Sequence, residues 1–502
     1  MEMERVCKSM LNRVQTADQA AQFIQSGMTV AMSGFTLVGY PKAVPTALVE
    51  SGHACQLTVI VGASAGDEVD GAMVRAGLVS RRFGFQNNKS MRQAINAGQV
   101  EYLDMHLSDL PRLIDQHCAP NIDVAVVECS AIIERDGEIV GLIPTASVGA
   151  SDAFVHAAST IIVEVNTSLP MDLVGLHDIY HLHKPPYTQP IPLVKSDNRI
   201  GSPYIPCPEE KIAAVVITDK PDQTPNFRPL DETSRKIGKN VVKFLKSEVA
   251  LGHLPKNLPP IQSGIGSVGN AILFGLADSG FKDLKLFTEV VQDGGIKMLE
   301  NGVVSSVSAT AISLSEECRE KFYQELPYFK NRIVLRSQEI SNHPGLIRRM
   351  GLIAINTPIE VDIYGNVNST HIMGTSIMNG IGGSGDFTRH SALNIYTTDS
   401  RAKNGDISCI VPMVSHVDHS EHDVHVIITE QGIADLRWKS PKERAETIIE
   451  NCAHPSYRPM LRKYFEEAKI KSRGLHTPHI LSKALSWHQR YLETGSMLPE
   501  KK

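Results

Sequence analysis

Short runs of β-branched and aliphatic residues alternate along this chain with stretches of helical character. The runs are "MTVAMSG" (28–34), "QLTVIVGAS" (56–64), "IDVAVVEC" (122–129), "TIIVEVN" (160–166), "KIAAVVITD" (211–219), "LKLFTE" (284–289), "IAINTP" (353–358) and "DVHVIITE" (423–430). Apolar runs this short, separated by helical segments, predict buried strands in α/β units.

The pattern also repeats. "SGFTLVGYPKAVPTALVESG" begins at Ser33 and "SGIGSVGNAILFGLADSG" at Ser263, an offset of about 230 residues. Both carry S-G-x-x-x-x-G, both close on Leu-x-x-Ser-Gly, and each leads into a strand. At a similar offset "VVECSAIIERDGEI" faces "AINTPIEVDIYGNV", and "VGASDAF" faces "GGSGDF". The expected fold is therefore α/β, with two related open α/β domains made by internal duplication. The division falls in the polar, Pro-containing segment 219–234. It gives an N-terminal domain 1–222, a linker 223–234, and a C-terminal domain 235–502 that carries Glu289.

Composition adds mainly exclusions. An apolar fraction of 42% and a charged fraction of 21% are those of a soluble globular protein. Net charge is −5 with no dense basic run, which argues against nucleic acid or a membrane surface as partner. Cysteines 7, 55, 118, 129, 207, 318, 409 and 452 are isolated, as for reduced thiols in a cytoplasmic protein. The start "MEMERVCKSML" lacks the apolar stretch of a signal peptide. No apolar run approaches the ~18 residues that a membrane span needs.

Several positions invite chemistry. Glu289 closes the apolar run "LKLFTE", yet the first copy has Gly62 at the aligned position, so strand-end geometry does not require a carboxylate there. A carboxylate held half-buried at such a place is either ion-paired or chemical. Glu430 also follows a strand in a Thr-Glu dipeptide, and a helix N-cap or structural pair is its ordinary role. "SGIGSVGN" (263–270) is either a loop cradling an acyl or phosphate group, or a tight strand-to-helix turn. "NGIGGSGDF" (379–387) is either an anion nest or a flexible turn. In "SHVDHSEHDVH", His416, His419, His422 and His425 recur every third residue, a period that would align metal ligands if the stretch were helical. It runs straight into a strand and has no H-E-x-x-H, so a hydrogen-bonded loop is the expectation and no metal site is assigned.

Together, "SGFTLVGYPKAVP", "QSGIGSVGNA", "LFTEVVQDG", "QEISNHP", "EVDIYGNVNST", "NGIGGSGDF", "VPMVSHVDHSEHDV" and "ITEQGIADLRW" resemble the acetyl-CoA hydrolase/transferase family of class I CoA-transferases. The resemblance runs from about residue 27 to about residue 460. It implies two α/β domains of similar topology and Glu289, not Glu430, as the nucleophile. It also implies that Asn342 and the Gly383 amide stabilise the oxyanion. Gly264, Ile265, Gly266, Ser267 and Val268 would border the thioester, and Asn379, Gly383 and Lys403 would contact CoA. Glu430 would lie near the site. The implied reaction moves CoA between an acyl-CoA and a small carboxylate, foremost succinyl-CoA with acetate, through a glutamyl-CoA thioester. Acetyl-CoA hydrolysis and propionyl-CoA:succinate transfer are the alternatives. Coenzyme A is then a substrate, no cofactor is implied, and a cytoplasmic homodimer active in acetate metabolism is expected. Phe35, Leu37 and Val38 of "GFTLVGYP" are the expected wall for the acid.

Overall fold

The computed structural model describes residues 3–52, 55–116, 119–135, 138–186, 188–225 and 230–499. Cys118 and positions 226–229 of the expected linker lie outside the described residues. The other seven cysteines are free thiols.

The fold is α/β. Seven strands of the first half form one parallel sheet: β1 Thr29–Met32, β2 Leu57–Val61, β3 Val79–Phe83, β4 Glu101–Leu103, β5 Val124–Cys129, β6 Thr160–Asn166 and β7 Ile212–Thr218. Their spatial order is β7-β6-β5-β1-β2-β3-β4. The central β1 and β5 are buried along their whole length, which is why they read as unbroken apolar runs. The second half supplies β8 Ile261–Ser263, β9 Leu284–Phe287, β10 Val304–Ala309, β11 Ile333–Leu335, β12 Ile353–Asn356, β13 Leu393–Thr397, β14 Val426–Ile428 and β15 Ile433–Asp435. All eight strands expected from the apolar runs are present.

Packing divides the chain into two compact units. The first comprises Met1–Asn226, Lys285–Ile296 and Ser305–Met350; the second comprises Phe227–Leu284, Lys297–Val304 and Gly351–Lys502. The first crossing falls inside the expected linker, but a single cut does not describe the packing. The segment bearing Glu289 packs with the N-terminal residues instead of with 235–502 as a whole. Hydrogen bonds give the reason. Ile312 N–H donates to the Ala146 carbonyl at 2.9 Å, Val148 N–H to Thr310 at 2.9 Å, and Asp178 N–H to Leu335 at 2.8 Å. The fully buried Arg336 guanidinium pairs with Asp178.

Strand order reproduces the repeat. Within the first unit the second-half strands run β9-β10-β11, as β2-β3-β4 do. Within the second unit they run β8-β12-β13-β14, as β1-β5-β6-β7 do, and β15 adds an antiparallel edge. Each half also places a helix between its first two strands, Ala43–Glu50 and Ser267–Ala277. In the second unit, Glu232–Ala250 lies closely against the latter helix. A Cβ on Gly238 would stand 2.9 Å from the Ala271 carbonyl oxygen. That unit's apolar core gathers Val361, Tyr364, Tyr396, Ile448, Tyr457 and Trp487.

Candidate active site

Strand β9 ends at Phe287, and Thr288 and Glu289 leave it at a bend before the chain re-forms a short parallel pair, Val290–Val291 with Ala311–Ile312. The bend is pinned by its backbone. The Glu289 carbonyl accepts N–H bonds from Thr310 at 2.9 Å and Ala311 at 3.0 Å, while Thr288 N–H donates to Ser308 at 2.9 Å. The Glu289 side chain is 8% exposed. Its sequence neighbour Val290 joins Phe35, Ala63, Leu107 and Ala311 in an apolar cluster, with Phe85 against it. A carboxylate so enclosed needs polar partners. Asn342 Nδ2 supplies a hydrogen bond to Glu289 Oε1 at 3.2 Å, and Asn342 is itself fully buried.

Asn342 is delivered by the one-turn helix Gln338–Ser341, of which it is the C-cap. That helix is anchored at its start. Gln338 N–H donates to the Gly149 carbonyl at 2.9 Å, and Gln338 Nε2 donates to the Leu107 carbonyl at 2.8 Å. The anchor explains the asymmetry of the repeat. A Cβ on Gly62, the counterpart of Glu289, would collide with the Gln338 amide oxygen and stand 3.0 Å from the Ala150 amide nitrogen. The first copy cannot take a side chain at this position unless the Gln338 amide moves, because that amide, from the helix that positions Asn342, occupies the space.

The residues expected to form the acid wall lie in the first unit. Phe35 is buried in the cluster with Val290, Leu37 is half-buried, and Val38 is buried with its carbonyl accepting from Ser147 Oγ at 2.8 Å. Behind this loop, the ammonium of Lys42 is fully buried between Glu128 at 2.7 Å and Asp222 at 2.8 Å. Burial alone would lower that ammonium, but Asp222 and Glu128 outweigh it and hold the group well above its ordinary value.

The remaining expected residues lie in the second unit. Gly264 and Ile265 lead from β8 to Gly266, whose φ of 118° favours glycine, and Ser267 and Val268 open the helix Ser267–Ala277. Ile265 is 48% exposed, so the loop presents an apolar side chain to solvent. Asn379 is half-buried and donates to the Ser369 and Gly380 carbonyls at 3.2 and 2.9 Å. Gly383 is the N-cap of Ser384–His390, and Lys403 is exposed on a turn at φ 50°. Glu430 caps no helix. Its carboxylate accepts from Ser400 N–H at 2.9 Å, from the Ser400 hydroxyl, and from Gln431 Nε2 at 2.8 Å. Burial would raise it, yet these bonds hold it below the usual carboxylate range.

The four periodic histidines do not converge, because 415–425 is irregular instead of helical. His416 lies tilted against the His371 ring, His419 Nε2 meets Ser384 Oγ at 3.0 Å, His422 lies by Ser420, and His425 Nδ1 accepts from Asn394 N–H. Gln338 and Gly62 were not singled out from sequence as a positioning pair. Their signal was present in the "QEISNHP" motif and in the repeat alignment.

The acetyl-CoA hydrolase/transferase N-terminal domain profile matches residues 2–217, and the C-terminal domain profile matches 319–465. The chain belongs to the acetyl-CoA hydrolase/transferase family. Among relatives, it is 52% identical over 489 residues to the succinyl-CoA:acetate CoA-transferase of Clostridium kluyveri, covering 97% of this chain and 90% of that one. It is 44% identical over 494 residues to the acetyl-CoA hydrolase of Schizosaccharomyces pombe, covering 95% and 94%. Among solved structures, RipA from Yersinia pestis superposes with a TM-score of 0.70 at 20% identity, over 92% of this chain and 98% of that one, which shows the shared fold. No helix among the described residues of this family member is long and apolar enough to cross a membrane.

Proposed function

We propose that this family member transfers CoA from an acyl-CoA to a small carboxylate, with succinyl-CoA and acetate as the leading pair, by way of a covalent intermediate on Glu289. The observation that carries the reading is the buried Glu289 carboxylate held by Asn342 Nδ2 at 3.2 Å beside an apolar cluster. The 52% identity to a succinyl-CoA:acetate CoA-transferase supports the choice of acids.

A carboxylate stripped of part of its hydration is a stronger nucleophile than one in water. Glu289 attacks the thioester carbonyl, giving a mixed anhydride and CoA thiolate. The thiolate then attacks the glutamyl carbonyl, which releases the first carboxylate and leaves a glutamyl-CoA thioester. The incoming acid reverses both steps and leaves as its own CoA ester. Each tetrahedral intermediate carries an oxyanion, and by the family resemblance Asn342, already bonded to Glu289, would donate to it. The Gly383 amide as second donor, the CoA contacts of Gly264–Val268, Asn379 and Lys403, and the absence of any cofactor rest on the family resemblance. A cytoplasmic homodimer belongs to the same reading.

Mass spectrometry of protein incubated with succinyl-CoA tests it. A CoA adduct is expected on the Glu289 peptide, discharged by acetate and absent from Glu289→Ala, which also loses transfer. An adduct on another peptide, or full transfer by Glu289→Ala, removes the nucleophile assignment. The fungal hydrolase at 44% identity favours one second reading, in which water replaces the acceptor acid. Acyl-CoA consumption that is independent of added carboxylate would select it.

A further inference from the structure

A second group of chemistry-bearing side chains lies in the first unit, and the transfer reaction does not use it. The helix Ser151–Ala157 carries Asp152 and His156 one turn apart, so both project to one side. His181 reaches them from an irregular segment. His181 Nδ1 is 2.9 Å from Asp152 Oδ2, and His156 Nδ1 is 3.4 Å from Asp152 Oδ1 and 2.8 Å from the Asp152 carbonyl oxygen. The two imidazoles stack with centroids 3.9 Å apart and planes 17° from parallel. One donor atom from each of the three residues falls within 4.8 Å of the other two. The Asp152 side chain is 1% exposed while the imidazoles are 36% and 32% exposed, so the group has a buried floor and an open side.

Two further observations point to a ligand. Among the described residues, the buried Asp152 Oδ1 has no hydrogen-bond partner of good geometry, His156 Nδ1 standing 3.4 Å away. Two more buried carboxyls, Asp115 and Glu339, lie within reach of the Asp152 charge. Both also line a cavity of about 210 Å³, on whose wall the neighbouring cations, Arg112 and Lys184, are largely exposed. The two imidazole nitrogens therefore converge on a buried carboxylate that has two further buried carboxyls nearby.

We infer that Asp152, His156 and His181 form a binding site for a divalent transition-metal ion of the zinc class. Metal–nitrogen and metal–oxygen bonds of about 2.0–2.2 Å at tetrahedral angles separate the donor atoms by roughly 3.3–3.5 Å. The present 2.9 and 3.4 Å separations are to the two different Asp152 oxygens, and one donor atom per residue lies within 4.8 Å of the others. Side-chain rotations, with His156 Nδ1 releasing the Asp152 carbonyl, would close the set. Two imidazoles with one carboxylate suit zinc or its neighbours better than the all-oxygen preference of calcium or magnesium. Solvent would take the fourth position on the open side. The ion would tie Ser151–Ala157 to the segment around His181, whose next residue, Leu182, donates its N–H to Glu339 at 3.4 Å. Glu339 lies on the helix that ends in Asn342, so the role is a brace behind the active-site wall and not a part of the chemistry.

The test uses the full chain, stripped with a chelator and dialysed, then titrated with zinc against a chromophoric competitor. His181→Gln is the comparison, because His181 is partly exposed and outside regular structure and its loss leaves the core intact. The parent protein is expected to bind one more zinc per chain than His181→Gln, or the same ion at least about tenfold more tightly. Losing a ligand outright should cost at least as much as the roughly 10- to 100-fold typical of disturbing a ligand's outer-shell partner. Other histidine pairs, such as His371 with His416, contribute equally to both proteins and cancel. Cobalt(II) is the second readout, and its intense visible absorption in a four-coordinate site should appear in the parent and vanish in the variant. Equal zinc stoichiometry and affinity, with no such cobalt band, would overturn the inference. Asp152 would then be a buried carboxylate hydrogen-bonded to His181 and within ion-pair distance of His156.

Discussion

At the scale of single residues, the site turns on a carboxylate and one amide. Glu289 is buried yet aims an oxygen at Asn342 Nδ2, and the Glu289 backbone is fixed by two N–H donors to its carbonyl. On the proposed mechanism, truncating Asn342 to alanine removes an oxyanion donor, so kcat for transfer should fall roughly 100- to 1000-fold with the fold unchanged. Steady-state kinetics and a melting curve on the variant measure this. A loss under tenfold would deny Asn342 its role. Glu289 could be singled out from sequence because a carboxylate followed an apolar strand where the other copy of the repeat had glycine. Asn342 is named from sequence only through the family resemblance of "QEISNHP", and nothing in residues 290–341 encodes its 3.2 Å approach to Glu289. That approach comes from the separate anchoring of Gln338 on Gly149 and Leu107.

At the scale of elements, the one-turn helix Gln338–Ser341 controls the site. Gly62→Ala puts a methyl group against the Gln338 side chain and 3.0 Å from the Ala150 nitrogen. The Gln338 amide can swing away, but its bond to Leu107 breaks and the helix carrying Asn342 shifts. Activity should therefore drop at least about tenfold, in keeping with the cost of small displacements of positioning groups, while the melting temperature changes little. Unchanged kcat in a folded Gly62→Ala would show that Asn342 is positioned by something else. Long, fully buried strands were legible because burial on both faces writes an unbroken apolar run. Strands β3 "VSRRF" and β10 "VSSVSA" were not, because one carries exposed Arg81 and a buried Arg82 paired with Asp70, and the other is serine-rich. The histidine period in 415–425 predicts a ligand stripe only on a helix, and the chain there is irregular.

At the scale of the whole molecule, buried ionisable groups tie the first unit's stability to pH. His177 is buried with Nε2 2.7 Å from the Thr145 carbonyl oxygen, and burial pushes its imidazole down to about 4. The folded state keeps it neutral, whereas the unfolded chain takes up a proton below about 6.5. The unfolded state thus binds more protons between those values, and stability is lost as pH falls from about 6.5 to 4. His177→Gln should flatten that dependence by on the order of 2–3 kcal/mol between pH 7 and 4.5, measured by urea unfolding at both values. An identical pH slope in the two proteins would show that His177 protonates freely in the fold.

The sequence by itself determined the α/β class, the duplication, the family and the glutamate, because each is written in local apolar periodicity or in short motifs that depend on neighbouring residues. Tertiary structure decided how the halves divide. Residues 285–296 and 305–350 belong by packing with the N-terminal chain, since their backbone hydrogen bonds and the buried Arg336–Asp178 pair join residues more than a hundred positions apart. It likewise decided that Gly62 must stay bare, and that Asp152, His156 and His181 meet while His416, His419, His422 and His425 do not. Spacing along a chain fixes side-chain proximity only inside a regular element. Between elements, proximity is set by which backbone groups and buried charges find partners.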